Sequence, residues 1–470
     1  MKSRTKKIAA VFGAALVLFV VFQIFSAGRG DERDIGEYLE NPDLLYGTKI
    51  TISNVAFAYP GRFEFFGISR FAQDFMEQNP GIIIEVREFD DIYAAAEIIG
   101  LELMAGRADT LVSSKAFDWR NPATARLFAD WYGIMAACPD FYEGDWFMNV
   151  FRAVEMDGRL PILPQEFRFE IVAANNSIAG LPQAFAQYDF VTKQNLISLH
   201  TRFAADSGHF LHTRFNTYGA LLYQLNSFID PDSGHVNFQS QEFIDFINTS
   251  NGIANPANPF VEPFSNWTMR FTPARMHAAS QNYLFMQNLV PFSLQFLFDF
   301  TQEYDFGGFA ALLCGENKLL ITHHLPAFAL NAAATPAEQA AAWLFTQFIQ
   351  NPQNAPTLRY FSHLSSMPVS RSLFNHILPE AIAHNFTMNT NAMLSTDTSM
   401  QNPPEYYTAR IKTTLTTIAN MPMRHVRQIN LPTKTILRET MRQFHDNLID
   451  ARQAAEYLQN RITIVLMEME

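Results

Sequence analysis

The chain has 470 residues, 48% hydrophobic and 17% charged, which is enough apolar surface for one or two large cores and argues against disorder. Its 46 acids outnumber its 34 bases, and the net charge of −12 excludes a general nucleic-acid binder, because phosphates are met by a basic footprint. Two cysteines, Cys138 and Cys314, exclude a disulfide framework, a four-cysteine zinc site and an iron–sulfur cluster.

The amino end sets the compartment. Residues 2–7 are basic, and residues 8–25 form an apolar run interrupted by Gly13 and Gln23. A charged start followed by such a run is an export signal, and eighteen residues also suffice for a membrane anchor. A cleaved signal peptide (residues 1–28) and a retained anchor both remain open; in the first case four bases are lost and the charge becomes −12 − 4 = −16. No cysteine lies near this boundary, which excludes a lipid-anchored lipoprotein. The bases precede the run, so the remainder is expected outside the cytoplasm. Residues 29–46 are polar and acidic and read as a flexible leader. Outside the cell Cys138 and Cys314 either pair or stay as two inert thiols.

From Thr48 the pattern alternates. Residues 49–59 read as a strand and 63–76 as a helix with Ile68, Phe71, Ala72 and Phe75 on one stripe. Asn79-Pro80-Gly81 stops it, Ile82 to Val86 reads as a buried strand, residues 93–105 as a second helix and 109–112 as a third strand. Strand–helix–strand–helix–strand implies an α/β fold with a parallel sheet. Segments 158–163 and 170–173 flank Pro164 as a crossing segment. Beyond residue 180 the chain reads as more helical, with strands again at 318–321 and 328–330. Thr335-Pro336-Ala337-Glu338 is a capping box with proline at the first helical position. It opens a helix with a stripe of Ala337, Ala340, Ala341, Leu344, Phe345 and Phe348. The end carries two more helices, one with Leu437, Met441, Phe444 and Leu448, the other capped by Asp450 with Ala451, Ala454, Ala455, Leu458 and Ile462. No Gly/Pro/Ser-rich linker interrupts 48–470, so two lobes joined by several crossings are expected.

Several stretches in order resemble the extracellular solute-binding proteins of sugar-type ABC importers, the maltose-binding-protein-like family 1. They are FMEQNPGIIIEV (75–86), LMAGRAD (103–109), LFADWY (127–132), FRAVEMDGRLPILP (151–164), AAATPAEQAAAWLFTQFI (332–349), SSMPV (365–369) and ARQAAEYLQNRITIVLME (451–468). The likeness spans about 75–470. It implies a two-lobed periplasmic-binding-protein-like fold with an interlobe hinge behind the N-terminal signal or anchor helix. The expected lobes are 47–165 with 305–355, and 166–304 with 356–470. It further implies a monomer that passes a sugar or oligosaccharide to ABC permease subunits, with membrane contact through residues 8–25 if they are uncleaved. The family's lipobox cysteine and its T-W-D-E-L helix start are missing; Gly180-Leu181-Pro182 is the nearest remnant of the latter.

Such proteins hold ligand between the lobes at the carboxyl ends of strands, so the resemblance points to loops that follow strands. These supply Tyr59 and Arg62, Asp118 and Trp119, then Glu166, Phe167 and Arg168, and His323 with His324; Trp267 is an addition from the second lobe. Aromatic faces cover the C–H surface of a sugar ring, while carboxylates and guanidinium groups bind its hydroxyls. Each has a plainer reading: tryptophans in the core, Asp118 as a helix cap, Arg62 paired with Glu64, and Glu166 paired with Arg168.

Other classes fare less well. Leu-His-Thr-Arg-Phe occurs at 199–203 and 211–215, which with His209 invites a metal set of His200, His209 and His212, but no carboxylate constellation supports it and no metal or cofactor is expected. Adjacent His323 and His324 point to opposite faces of an extended chain. There is no G-x-S-x-G, H-E-x-x-H or P-loop, and the acids Asp90-Asp91 have no partner placed opposite as a glycosidase needs. No enzyme is expected. A membrane-anchored sensor or scaffold with the same fold is the alternative.

Overall fold

The computed structural model describes residues 33–55, 68–117, 119–175, 177–188, 190–207, 210–212, 228–229, 235–253, 283–290, 306–314, 318–322, 327–354, 367–379, 416–417, 420–425 and 431–467. The apolar run 8–25 lies outside them; among the described residues no helix is long and apolar enough to cross a membrane. The chain divides into two units, 1–141 with 328–348, and 142–327 with 349–470.

The first unit begins earlier than the sequence suggested. Helix α1 (Ile35–Glu40) is capped by Asp34, whose carboxylate accepts the Glu37 N–H at 3.0 Å. Tyr38 and Leu39 are buried, as is Leu45 in the following 3-10 turn. The reading of 29–46 as a flexible leader is therefore corrected from Asp34 onward. The segment is polar in composition, but its few apolar side chains recur at helical spacing and find a core.

Strand β1 (Thr48–Val55) pairs in parallel along its full length with β2 (Ile82–Phe89), from Thr48↔Ile82 to Val55↔Phe89. On its other side it pairs in parallel with β3 (Leu111–Ser113). Between the strands run α2 (Ile68–Gln78) and α3 (Ile92–Met104). The stripe Ile68, Phe71, Ala72 and Phe75 is buried as its spacing predicts. The parallel order ends at Phe328–Leu330, which runs antiparallel to β3 with Phe328 opposite Ser113.

Helix Pro336–Ile349 opens with the capping box: Thr335 Oγ1 accepts the Glu338 N–H at 3.3 Å, and Glu338 Oε2 accepts the Thr335 N–H at 2.7 Å. Phe345 and Phe348 meet Phe75 edge-on with ring centres 5.5 and 5.3 Å apart. The buried surface is wider than the expected stripe, taking in Ala342 and Trp343 while Ala337 and Leu344 are only half-buried. Each fully buried aromatic contributes roughly 1.5–3 kcal/mol of transfer free energy.

The second unit is built differently. A tight turn precedes its sheet, with Asp157 and Gly158 both at left-handed φ (50° and 75°) and Met156 bridged to Arg159. Strand β4 (Glu166–Asn175) is central, and it embeds the expected 170–173 segment. After it come β5 (Phe190–Thr192), α4 (Lys193–Ser207), β6 (Phe210–His212), α5 (Gln241–Ile253), β7 (Tyr283–Val290), β8 (Phe306–Cys314) and β9 (Lys318–Thr322). β7 and β8 pair antiparallel to β4 on its two sides, and β9 is antiparallel to both β8 and β4. Three parallel pairings complete it: β5 with β8, β6 with β7, and β9 with β10 (Met423–His425). Past residue 180 the described residues are more helical, as expected, but β7 and β8 are two long strands that the sequence reading did not place. YLFMQNLV and FGGFAALLC are apolar without alternation, and such a run fits a buried strand or a buried helix equally.

The carboxyl-terminal helices α6 (Leu431–His445) and α7 (Ala451–Met467) pack with α5 around Phe228, Phe238 and Phe243. Leu437, Met441, Phe444 and every residue of the expected α7 stripe are buried. Leu448 is not: it is 72% exposed, because α6 has already ended. Asn447 takes φ 57°, its N–H reaches the Phe444 carbonyl and that of Leu448 reaches Gln443, a Schellman closure that turns the chain away. Asp450 caps α7 through the Gln453 N–H at 2.8 Å.

Candidate functional site

In the first unit, β1 ends in the buried pair Asn54 and Val55, and β3 in the fully buried Ser113. The Ser113 hydroxyl has no hydrogen-bond partner among the described residues. A 3-10 turn (Ser114–Ala116) then leads to Trp119. Trp119 is 6% exposed, and the Arg120 guanidinium carbon stands 4.8 Å from its ring centre. Asp118, Tyr59 and Arg62 lie outside the described residues.

Beside these strand ends sits a charged network that the sequence reading missed. Arg87 of β2 donates to Glu102 Oε1 of α3 at 2.8 Å and to Ser53 Oγ of β1 at 2.9 Å, and it stands 2.9 Å from Asp109 Oδ2. Ser53 Oγ in turn donates to Asp109 Oδ2. The hydrogen bond from Arg87 holds the Glu102 carboxyl below its ordinary range against the opposing cost of burial, with the charges of Arg87 and Arg107 adding to it. The bond to Glu102 likewise raises Arg87. One guanidinium thereby fastens three segments separated by 15 to 34 residues in sequence.

In the second unit, Glu166, Phe167 and Arg168 open β4, where Phe167 pairs with Met367 and Glu166 with Pro368. Glu166 is buried. Phe167 is fully buried, with ring contacts to Phe147 and Phe169 at 5.6 and 6.3 Å, so it packs the core beneath its neighbours. The backbone of Arg168 pairs with Thr322. Trp267, His323 and His324 lie outside the described residues.

A buried amide knot lies next to Glu166. Gln350 Nε2 donates to the Gln165 carbonyl at 2.8 Å, and Gln350 Oε1 accepts the Ser370 N–H at 3.2 Å. Next in sequence, Arg371 donates through Nε to the Trp146 carbonyl at 3.0 Å and covers the Phe147 ring at 4.3 Å, and burial lowers its pKa. No sequence signal marks these pairs, since Gln165 and Gln350 are 185 residues apart.

The remaining sequence candidates disperse. His200 lies on the helix Lys193–Ser207 and His212 on β6, while His209 is outside the described residues. Among the described residues no group of three His, Cys, Asp or Glu is placed to hold a metal ion. Asp91 caps α3 through the Ala94 N–H at 3.2 Å, a structural role for half of the Asp90-Asp91 pair. Cys138 is a free thiol.

No protein-family model and no curated protein matches the chain. Solved structures do. An extracellular solute-binding protein family 1 from Alicyclobacillus acidocaldarius is 13% identical at TM-score 0.61, covering 89% of this chain and 98% of its own. The sugar-binding protein MalE from Xanthomonas citri is 14% identical at TM-score 0.58, covering 90% and 98%. Maltose-bound MalE3 of T. maritima is 13% identical at TM-score 0.52, covering 89% and 100%. A designed esterase also matches, at 10% identity and TM-score 0.57, so the likeness speaks to architecture and not to chemistry. The chain has the mixed α/β, two-lobed fold of the MalE-like family 1 extracellular solute-binding proteins.

Proposed function

We propose that this chain is the exported solute-binding component of an ABC importer, taking a sugar or oligosaccharide between its two units and delivering it to a membrane permease. The observation that carries the reading is the extent of the fold match, which takes in about nine-tenths of this chain and nearly all of the sugar-binding MalE of X. citri. Chemistry is not required of it: ligand binding shifts an open–closed equilibrium and no bond is broken.

We assign the ligand contacts to Tyr59, Arg62, Asp118 and Trp119 in one lobe, and to Glu166, Arg168, Trp267, His323 and His324 from the other lobe and its connections, with Phe167 supporting Glu166 and Arg168 from the core. The lobes expected at 47–165 with 305–355 and 166–304 with 356–470 are redrawn so that each sheet stays whole, and are proposed as 47–141 with 328–348 and 142–327 with 349–470, because β8 and β9 pair with β4. The amino-terminal run 8–25 is proposed as the export signal, cleaved or kept as an anchor.

A thermal-shift screen of mono- and oligosaccharides, maltose included, tests the reading. Ligand that binds only the folded chain adds about 2.7 kcal/mol at a hundredfold excess over its Kd, and the melting temperature rises accordingly. A rise with one sugar class is expected, and Trp119→Ala should abolish that rise. No shift with any sugar overturns the reading.

A further inference from the structure

The two helices flanking the first unit's sheet present opposite surfaces to water. The outward side of α2 is Ser69, Arg70, Gln73 and Glu77, with Arg70 bonded to Asp74 and Gln73 to Glu77. The buried side of α3 is Ala95, Ile99 and Leu103. Its outward side carries Ala94, Ile98 and Leu101, continued by Ala105 in the turn that closes the helix, and is flanked by Met104 and by Glu97. Ile98 is 43% exposed, Leu101 59% and Met104 70%, against the ordinary practice of placing charge on such a face.

The spacing of that stripe is symmetric. Ala94, Ile98, Leu101 and Ala105 read small–large–large–small at intervals of four, three and four, so the pattern is unchanged when the helix is reversed. The ends differ in charge: the exposed acids Asp90 and Asp91 precede the helix, and exposed Arg107 follows it. Two copies packed antiparallel therefore set each Ile98 against the other's Leu101 and each Ala94 against the other's Ala105. The same packing brings the acids of one copy to Arg107 of the other and opposes the two helix dipoles. A parallel pair would instead bring acid to acid.

We propose that this face is a self-association surface, on which a second copy of the chain lies antiparallel across α3 about a two-fold axis near the middle of the helix. The stripe is about 16 Å long at 1.5 Å per residue, less than a standard stable interface offers, so the dimer is weak and concentration-dependent. The inference is independent of the sugar-binding reading and departs from the monomer that the family resemblance implies.

Sedimentation velocity of the full chain over a hundredfold concentration range tests it. The expected result is a reversible rise from one chain mass toward two. Leu101→Glu, at an exposed position that the core does not use, should hold the chain at one mass throughout with unchanged circular dichroism and melting temperature. Arg107→Glu should weaken association, and adding Asp90→Arg should restore it. A chain of single mass at every concentration overturns the proposal, as does a dimer that survives Leu101→Glu. Failure of the charge reversal to restore association overturns the antiparallel register.

Discussion

The sheets of the two units solve the same problem by different means. In the first, β1 to β3 lie parallel with helices between them, and their register is fastened by Arg87 reaching Ser53, Glu102 and Asp109. In the second, β4 is clamped antiparallel between β7 and β8, and the helical layer gathers Phe228, Phe238 and Phe243 with ring centres 4.9 to 6.3 Å apart. Aromatic packing serves both cores, and the first adds a charged fastening across its strands. The lesson is that two units of one chain can share a source of stability and differ in what fastens their sheets, so core mutations should act locally and the response to pH should separate them.

The largest effect expected is from Trp343→Ala, which empties a fully buried site in the first unit and should cost about 3–5 kcal/mol. Denaturant unfolding followed by hydrogen exchange would show protection lost in residues 48–55 and 82–89 first. Phe243→Ala should cost a similar amount, about 3–5 kcal/mol, with the loss centred on residues 431–467. If either substitution lowers protection equally in both units, the separation drawn above fails.

Next comes Thr335→Ala, which removes the cap of helix Pro336–Ile349 and should cost about 1 kcal/mol by urea titration. Smaller again is the acid response. The Glu102 carboxyl is held below its ordinary range, so the stability it confers is full above the unfolded carboxylate value of about 4.3 and is lost as pH falls through the lower folded value. Glu102→Gln should remove that acid-range slope from the first unit and leave the second unit's pH profile unchanged; the pair is partly exposed, so its worth is within about 1 kcal/mol. Leu448→Ser marks the floor, with an expected change within about 0.5 kcal/mol, since the Schellman turn has already carried that side chain into water.

The first unit was far more legible from sequence than the second. Its helices announce themselves by stripes such as Ile68, Phe71, Ala72 and Phe75, and its strands by punctuation such as Asn79-Pro80-Gly81, both local signals. The second unit's longest strands, β7 and β8, carry no alternation that would tell a strand from a buried helix, and their partner β4 lies more than a hundred residues upstream. The candidate site was less legible still. Residue types suited to sugars were easy to name, but Phe167 proved to be a core residue. The groups that fasten the neighbourhood, Arg87 with Glu102 and Gln165 with Gln350, meet only after the chain has folded.

Docking of α1 has a geometric corollary for anything upstream. With Asp34 fixed as a helix cap, nine residue steps separate it from Phe25, the last residue of the apolar run. A chain that length reaches at most about 30 Å when fully drawn out. If the run stays in a bilayer, the first unit is on a short leash: it samples a shell no deeper than a membrane's hydrocarbon layer is thick, while a signal cut near residue 28 would release it altogether.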